Sequence, residues 1–163
     1  MIDAESVSRE TKPRVIAVVN QKGGVGKTTT AINLGAALAV RGHRTLLIDV
    51  DPQGNSTTGL GVSKPSVDGT TYDVLRGERT LQSVARSTME ADLDLVPATI
   101  DLAGAEVELA SALARERKLA EALDPLPEGY GIVLLDTPPS LGLLTVNCLT
   151  CAGEVLVPIQ CEY

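Results

Sequence analysis

The stretch from Val15 to Thr30 constrains the fold more than any other part of this sequence. It reads VIAVVNQKGGVGKTTT: an apolar run, then a glycine-rich loop, then a segment that can start a helix. In such a strand–loop–helix unit, backbone N–H groups of the loop and of the helix N-terminus can surround the phosphates of a nucleotide. The sequence therefore predicts a strand over 14–20, a helix over 27–41 and a phosphate-binding loop between them.

The residue types in this loop suit phosphate chemistry. Lys27 can reach the terminal phosphates, and the hydroxyl of Thr28 can join a Mg²⁺ shell. The usual phosphate-loop pattern has a glycine five residues before Gly26, where this chain has Gln21, and a second lysine, Lys22, follows directly. Close approach of the backbone to a ligand is allowed by the glycines Gly23, Gly24 and Gly26.

Two further apolar runs end in carboxylates. Residues 44–50 lead into Asp51 and a loop rich in Gly, Ser and Thr, while residues 131–135 lead into Asp136. Open parallel sheets bind their ligands at the carboxyl ends of the strands. We therefore expect the loop over 51–61 to face the nucleotide as a switch segment, and Asp136 to be a Walker B-like carboxylate near Mg²⁺.

The remaining segments alternate between helical and strand patterns. The sequence predicts short helices over 71–75 and 81–85, strands over 93–97 and 154–158, and a helix over 143–152. It also predicts one long helix over 100–123, with a buried stripe of Leu102, Val107, Leu109, Leu113, Leu119 and Leu123. Because strands and helices alternate, the expected fold is a doubly wound α/β domain with a mostly parallel sheet.

Three motifs, in this order, resemble the ParA/MinD class of ATPases with a deviant Walker A loop. They are KGGVGKTT at Lys22–Thr29, a switch I pattern at Asp49–Asn55 and a switch II pattern at Asp136–Gly142. The segments 143–147 and 160–163 are also similar to this class, and the ParA/Soj branch fits best. The resemblance covers nearly everything from Val15 onward and implies a P-loop NTPase-like fold.

The resemblance implies ATP hydrolysis with Mg²⁺ and assigns roles to individual residues. Thr28 would bind Mg²⁺ directly, Asp136 would act on it through a coordinated water, and Asp51 would orient the attacking water. In this class the signature lysine, here Lys22, contacts nucleotide across a dimer interface. The implied nucleotide-binding set is Lys22, Gly23, Gly24, Val25, Gly26, Lys27, Thr28 and Thr29.

The resemblance also implies partners. ATP-dependent homodimerisation would serve as a switch that is read by nonspecific DNA and by a ParB-type centromere-binding protein, with a chromosome or a plasmid as cargo. Family members continue past this point with further strands, helices and the DNA-binding patch. We therefore expect residues 14–163 to be the N-terminal part of a P-loop ATPase domain behind a flexible tail, 1–13. We expect a cytoplasmic protein, nucleoid-associated at full length, with no membrane partner.

Composition limits what this stretch does by itself. The net charge is −7, and there is no Phe or Trp, which argues against nucleic-acid binding through these residues alone. No apolar run reaches the length of a membrane span. Cys148 and Cys151 form a C-x-x-C spacing inside an apolar predicted helix, where small buried core residues are the simpler interpretation.

Three alternatives stay open at this point. A MinD-type membrane-associated regulator shares the three motifs but carries an amphipathic C-terminal helix. A nitrogenase-reductase-like or scaffold protein would hold an iron–sulfur cluster, for which Cys148 and Cys151 are the only support. A nucleotide-sensing DNA-binding module with negligible turnover is the non-enzymatic alternative.

Overall fold

A computed structural model describes residues 13–126 and 129–161 of the chain, so most of the predicted tail lies outside the described residues. The strands are β1 (Arg14–Val18), β2 (Thr45–Asp49), β3 (Arg86–Ser87), β4 (Leu93–Val96), β5 (Ile132–Asp136) and β6 (Glu154–Leu156). The α-helices are α1 (Lys27–Val40), α2 (Asn55–Gly59), α3 (Thr71–Leu75), α4 (Leu81–Val84), α5 (Leu102–Glu108), α6 (Lys118–Ala122) and α7 (Leu143–Cys151). Short 3₁₀ turns cover Lys64–Ser66, Leu109–Ser111 and Arg115–Arg117.

The sheet has six strands in the order β3-β4-β2-β5-β1-β6. Pairing is parallel throughout, except that β3 runs antiparallel to β4 at one edge. The predicted doubly wound, mostly parallel α/β fold is thus confirmed. The order also places β5 between β1 and β2, so the strand that leads into the glycine-rich loop lies beside the one that ends in Asp136.

The central strands have apolar side chains on both faces, as parallel strands covered by helices do. All five residues of β2 and of β5 are buried. Successive side chains point to opposite faces: Leu46 and Ile48 belong to one apolar core, and Leu47 belongs to the other. The sheet is therefore held from both sides, and the carboxyl ends of its strands form one edge.

The prediction of a single long helix over 100–123 is wrong. Helix α5 ends at Glu108 and α6 starts at Lys118, because Ala112 is extended and Ala114 has a φ of 50°. The side chain of Asn147 from α7 accepts from the Leu119 N–H (3.1 Å) and donates to the Arg115 carbonyl (2.9 Å). This contact supplies partners for backbone groups at the break.

The break also changes which side chains of the predicted stripe are buried. Leu102, Leu109 and Leu119 lie in the core, and Leu123 packs against it. Val107 and Leu113 are instead 78% and 92% exposed. The two short helices before this region, α3 and α4, agree with prediction, and each begins with a capping box, at Thr70 and Thr80.

Candidate nucleotide-binding site

The glycine-rich loop follows β1 and ends where α1 begins, as predicted. Gly24 and Gly26 have φ values of 75° and 88°, a left-handed conformation that costs other residues free energy. A Cβ atom at either position, or at Gly23, would meet no atom of the described residues within 4 Å, so the loop borders open space. The backbone is therefore shaped to approach a ligand closely.

Lys27 is the first residue of α1, and its side chain lies back across the loop. It is only 7% exposed, and its Nζ donates to the carbonyl oxygen of Lys22 at 3.3 Å. Lys22 is exposed, and its backbone N–H donates to Oδ1 of Asn20 at 2.9 Å. The Lys27 ammonium already binds a neutral carbonyl oxygen at this position. An anionic oxygen would bind the same ammonium more strongly.

A cavity of about 310 Å³ opens beside this loop. Its walls come from the loop and the start of α1, from the segment after β2, and from the segment after β5. The lining residues are Gly23, Gly24, Gly26, Lys27, Thr28, Thr29, Asp51, Gln53, Asn55 and Pro139. The structure thus brings the three sequence motifs together at one edge of the sheet.

Asp49 and Asp136 end the neighbouring strands β2 and β5, where they are paired in register, and both are fully buried. Oδ2 of Asp49 accepts from the N–H (2.8 Å) and from the hydroxyl (2.7 Å) of Thr57. Burial raises the pKa of Asp49 to about 7, against the opposing effect of the Thr57 hydrogen bonds. Its carboxylate is therefore engaged in holding the chain after β2.

Asp136 has one engaged oxygen and one without a partner. Oδ2 accepts from the Ser56 hydroxyl at 2.7 Å, while buried Oδ1 has no hydrogen-bond partner among the residues that the structure describes. Burial raises the pKa of Asp136, and Ser56, Thr28 and Lys27 each act in the opposite direction. A buried carboxylate oxygen without a donor is costly unless a ligand satisfies it.

Asp51 differs from these two carboxylates because it reaches the cavity wall. It is 6% exposed, and its Oδ1 accepts from the backbone N–H of Gln53 at 2.9 Å. Of the two switch I aspartates, Asp51 lines the cavity and Asp49 does not. The geometry therefore favours Asp51 over Asp49 for contact with a bound ligand.

The segment 51–61, predicted to be a loop, contains a five-residue helix, α2. Two residues of this helix were not predicted to belong to the site: Ser56 donates to Asp136 and Thr57 donates to Asp49. Gln160, in the segment after β6, was not predicted to contact the loop, yet its Nε2 donates to the Gly24 carbonyl at 3.0 Å. Side-chain bonds between distant segments leave no local signal, although Gln160 belongs to a segment that resembles the family.

The cysteines behave as the apolar interpretation predicted. Cys148 is fully buried in the core, and Cys151 packs against it. Burial raises the pKa of the Cys148 thiol well above its ordinary value and that of Cys151 to about 12.

Across residues 13–126 and 129–161, no group of three or more His, Cys, Asp or Glu side chains could hold a metal ion. Within the same ranges, no helix is long and apolar enough to cross a membrane.

A glycine-rich loop between a central parallel strand and a helix, with aspartates at the ends of neighbouring strands, defines the class of P-loop nucleotide-binding α/β proteins. More specifically, the family model described as an AAA domain (AAA_31) matches residues 13–163, and this chain belongs to that family.

Curated relatives narrow the family further. The chain is 51% identical over 150 residues to the sporulation initiation inhibitor protein Soj of Bacillus subtilis, covering 92% of this chain and 59% of Soj. It is 53% identical over 150 residues to the chromosome partitioning protein ParA of Myxococcus xanthus, covering 92% of this chain and 53% of that protein. The ParA/Soj-type resemblance is confirmed, and the chain spans between half and three-fifths of the length of these relatives.

Solved structures agree with this fold. A cobyrinic acid a,c-diamide synthase from Mycobacterium smegmatis with bound ADP and magnesium is 47% identical with a TM-score of 0.89, covering 93% of this chain and 61% of that one. A putative plasmid partition protein from Borrelia burgdorferi bound to AMPPNP is 29% identical with a TM-score of 0.82, covering 93% and 63%. The P-loop NTPase-like fold is therefore confirmed by two neighbours that hold adenine nucleotides.

Proposed function

We propose that this protein binds Mg²⁺–ATP, hydrolyses ATP and acts as an ATP-dependent dimer switch in the partitioning of a chromosome or plasmid. The observation that carries the proposal is the cavity of about 310 Å³, whose wall combines the glycine-rich loop, Lys27 and Asp51. Asp136 lies close enough to Lys27, Thr28 and Asp51 for each to alter its pKa. A cationic loop that faces carboxylates is the arrangement needed to hold both phosphates and a divalent cation.

The residues present fit Mg²⁺. This ion prefers oxygen ligands and usually keeps several of its waters. Oδ1 of Asp136 is a buried oxygen without a protein donor in the described ranges, and a metal-bound water would satisfy it. Thr28 would hold the ion directly and Asp136 through a coordinated water. When bound, Mg²⁺ supplies charge neutralisation on the terminal phosphates.

The chain's own groups would then act by positioning. The backbone N–H groups over 23–29 and the Lys27 ammonium hold the phosphates, and Asp51 orients the attacking water. Lys22 reaches the nucleotide of a second copy of the chain, where its charge acts as an arginine finger does in trans. Phosphoryl transfer requires little covalent participation from the protein, so orientation and charge neutralisation carry the rate.

The names of the relatives support this proposal. Soj and ParA are named for chromosome partitioning or sporulation control, and a Borrelia neighbour for plasmid partition. Nonspecific DNA and a ParB-type protein are therefore the proposed partners, and the nucleoid is the proposed location. One neighbour, the cobyrinic acid a,c-diamide synthase, is named for a different reaction. The curated relatives at 51% and 53% identity favour partitioning.

The test measures ATP binding and phosphate release by the wild-type protein and by Lys27→Ala. Phosphate release is recorded with Mg²⁺ alone, with DNA and a ParB-type protein, and with cobyrinic acid. We expect Mg²⁺-dependent ATP binding and turnover that rises only with DNA and the ParB-type protein. Absence of ATP binding would refute the proposal, and stimulation by cobyrinic acid would point to the reaction of the other neighbour.

A further inference from the structure

Two adjacent side chains of helix α2 bind two different strand-end carboxylates. The Ser56 hydroxyl donates to Oδ2 of Asp136 at 2.7 Å, and the Thr57 hydroxyl donates to Oδ2 of Asp49 at 2.7 Å. All four side chains are buried, with Ser56 and Thr57 at 0% exposure. The first turn of α2 is therefore attached to the ends of both β2 and β5.

Thr57 makes this attachment rigid. Its N–H also donates to Asp49 at 2.8 Å, and its hydroxyl oxygen accepts from the backbone N–H of Ala98 at 2.9 Å. These three hydrogen bonds of Thr57 fix the backbone at the adjacent residue, Ser56. The Ser56 hydroxyl is consequently held in one place relative to Asp136.

The Ser56 bond leaves Asp136 with a defined orientation. With Oδ2 engaged, Oδ1 is the oxygen without a partner in the described part of the chain. The Ser56 bond orients the plane of the carboxylate, so the second oxygen is held in a defined position. Groups that orient a metal-site carboxylate in this way commonly set metal affinity without touching the metal.

We propose that Ser56 is a positioning residue of the metal site, because its hydroxyl orients Asp136 so that Oδ1 receives a water of the bound divalent cation. The inference rests on the proposed function, since it requires that a nucleotide and a divalent cation bind here. Ser56 acts through Asp136 and contacts neither nucleotide nor metal. If Ser56 only satisfied a buried carboxylate, its loss would reduce stability but leave metal and nucleotide affinities in their wild-type ratio.

The experiment measures Mn²⁺ binding to the ADP-saturated protein by electron paramagnetic resonance, and ADP binding in EDTA by calorimetry. The variants are Ser56→Ala, Asp136→Asn and the double variant. Thr58→Ala is the matched control, because Thr58 is an exposed hydroxyl on the same helix that donates to the Gly54 carbonyl at 3.2 Å. Unfolding in urea establishes that each variant is folded.

We expect Ser56→Ala to weaken Mn²⁺ binding about tenfold, within the range typical of groups that orient metal ligands. Metal-free ADP affinity should stay within about twofold of wild type, and Thr58→Ala should change neither quantity. In the Asp136→Asn background, Ser56→Ala should have little further effect, since a group that acts through another is non-additive with it.

Two results would overturn the inference while leaving the proposed function intact. One is wild-type Mn²⁺ affinity in a folded Ser56→Ala protein, and the other is an additive effect in the double variant. A wild-type protein that binds no ADP would instead refute the proposed function, and the inference with it. The wild-type and variant measurements therefore separate the two failures.

Discussion

The buried carboxylate of Asp49 predicts an unusual dependence of stability on pH. Its pKa is about 7 in the folded chain against an ordinary value of 3.8, and burial is the main cause. Between these two values the folded chain binds one proton more than the unfolded chain at this position. The free energy of unfolding should therefore fall as pH rises through this window. Most carboxylates in hydrogen-bonded or paired positions have the opposite effect.

The size of the effect follows from the pKa difference. One pKa unit corresponds to about 1.4 kcal/mol, so raising the pH from 5 to 7 should lower the free energy of unfolding by roughly 2 kcal/mol through Asp49 alone. Burial raises the pKa of Asp136 as well, so the contribution of that carboxylate has the same sign. Asp94 and Glu154 have lowered pKa values, so they titrate below this window.

The assay is urea denaturation of the wild-type protein and of Asp49→Asn at several pH values from 5 to 8. Asparagine cannot ionise, so the variant should lose the part of the pH slope that Asp49 contributes. Asp101→Asn is the matched control, because it removes a carboxylate from an exposed position. Equal slopes for wild type and Asp49→Asn would show that Asp49 does not titrate in this range.

Four further predictions concern the proposed site and the charge of the chain. Lys27→Ala should abolish binding of a fluorescent ATP analogue, because the phosphates lose a cation that is 7% exposed. The control Lys118→Ala removes only a surface ion pair with Glu121 and should leave this binding unchanged. Asp51→Ala should bind ATP normally and fail to release phosphate, since a water-orienting group acts mainly in the transition state; normal turnover would assign that role elsewhere. Mixing inactive Lys22→Gln with inactive Asp51→Ala should restore ATPase activity if Lys22 acts across a dimer. If the heterodimer forms and no ATPase activity returns, Lys22 acts on the nucleotide of its own subunit. With a net charge of −7, this chain alone should bind nonspecific DNA weakly in a gel shift, and a strongly salt-dependent sub-micromolar complex would contradict that expectation.

Much of the fold could be predicted because its signals are local. The apolar runs that become β2 and β5 are long enough to mark buried strands, and the parallel arrangement then brings their carboxyl ends to one edge. That single geometric rule accounts for the proximity of Asp51 and Asp136 to the glycine-rich loop. The break between α5 and α6 had no such signal, because backbone groups at the break find their partner in Asn147, a polar residue of a distant helix.

Helix α2 shows why the finer parts of a site escape sequence reasoning. A five-residue helix has little stability of its own, so the sequence NSTTG carries no helical signal of practical use. Gly54, directly before the helix, has a φ of 59° and leaves no room for a side chain: a Cβ there would lie 2.6 Å from the Ala98 carbonyl oxygen. The Lys64 ammonium also donates to the Gln53 carbonyl just before this turn.

The turn at Gly54 directs the next residues onto the strand ends, and there the hydroxyls of Ser56 and Thr57 donate to the buried carboxylates of Asp136 and Asp49. The dependence is mutual, since α2 is ordered by Asp49 and Asp136, and those carboxylates are oriented by α2. A change in what Asp136 binds therefore acts through Ser56 on α2, and so on the segment after β2 that carries Asp51.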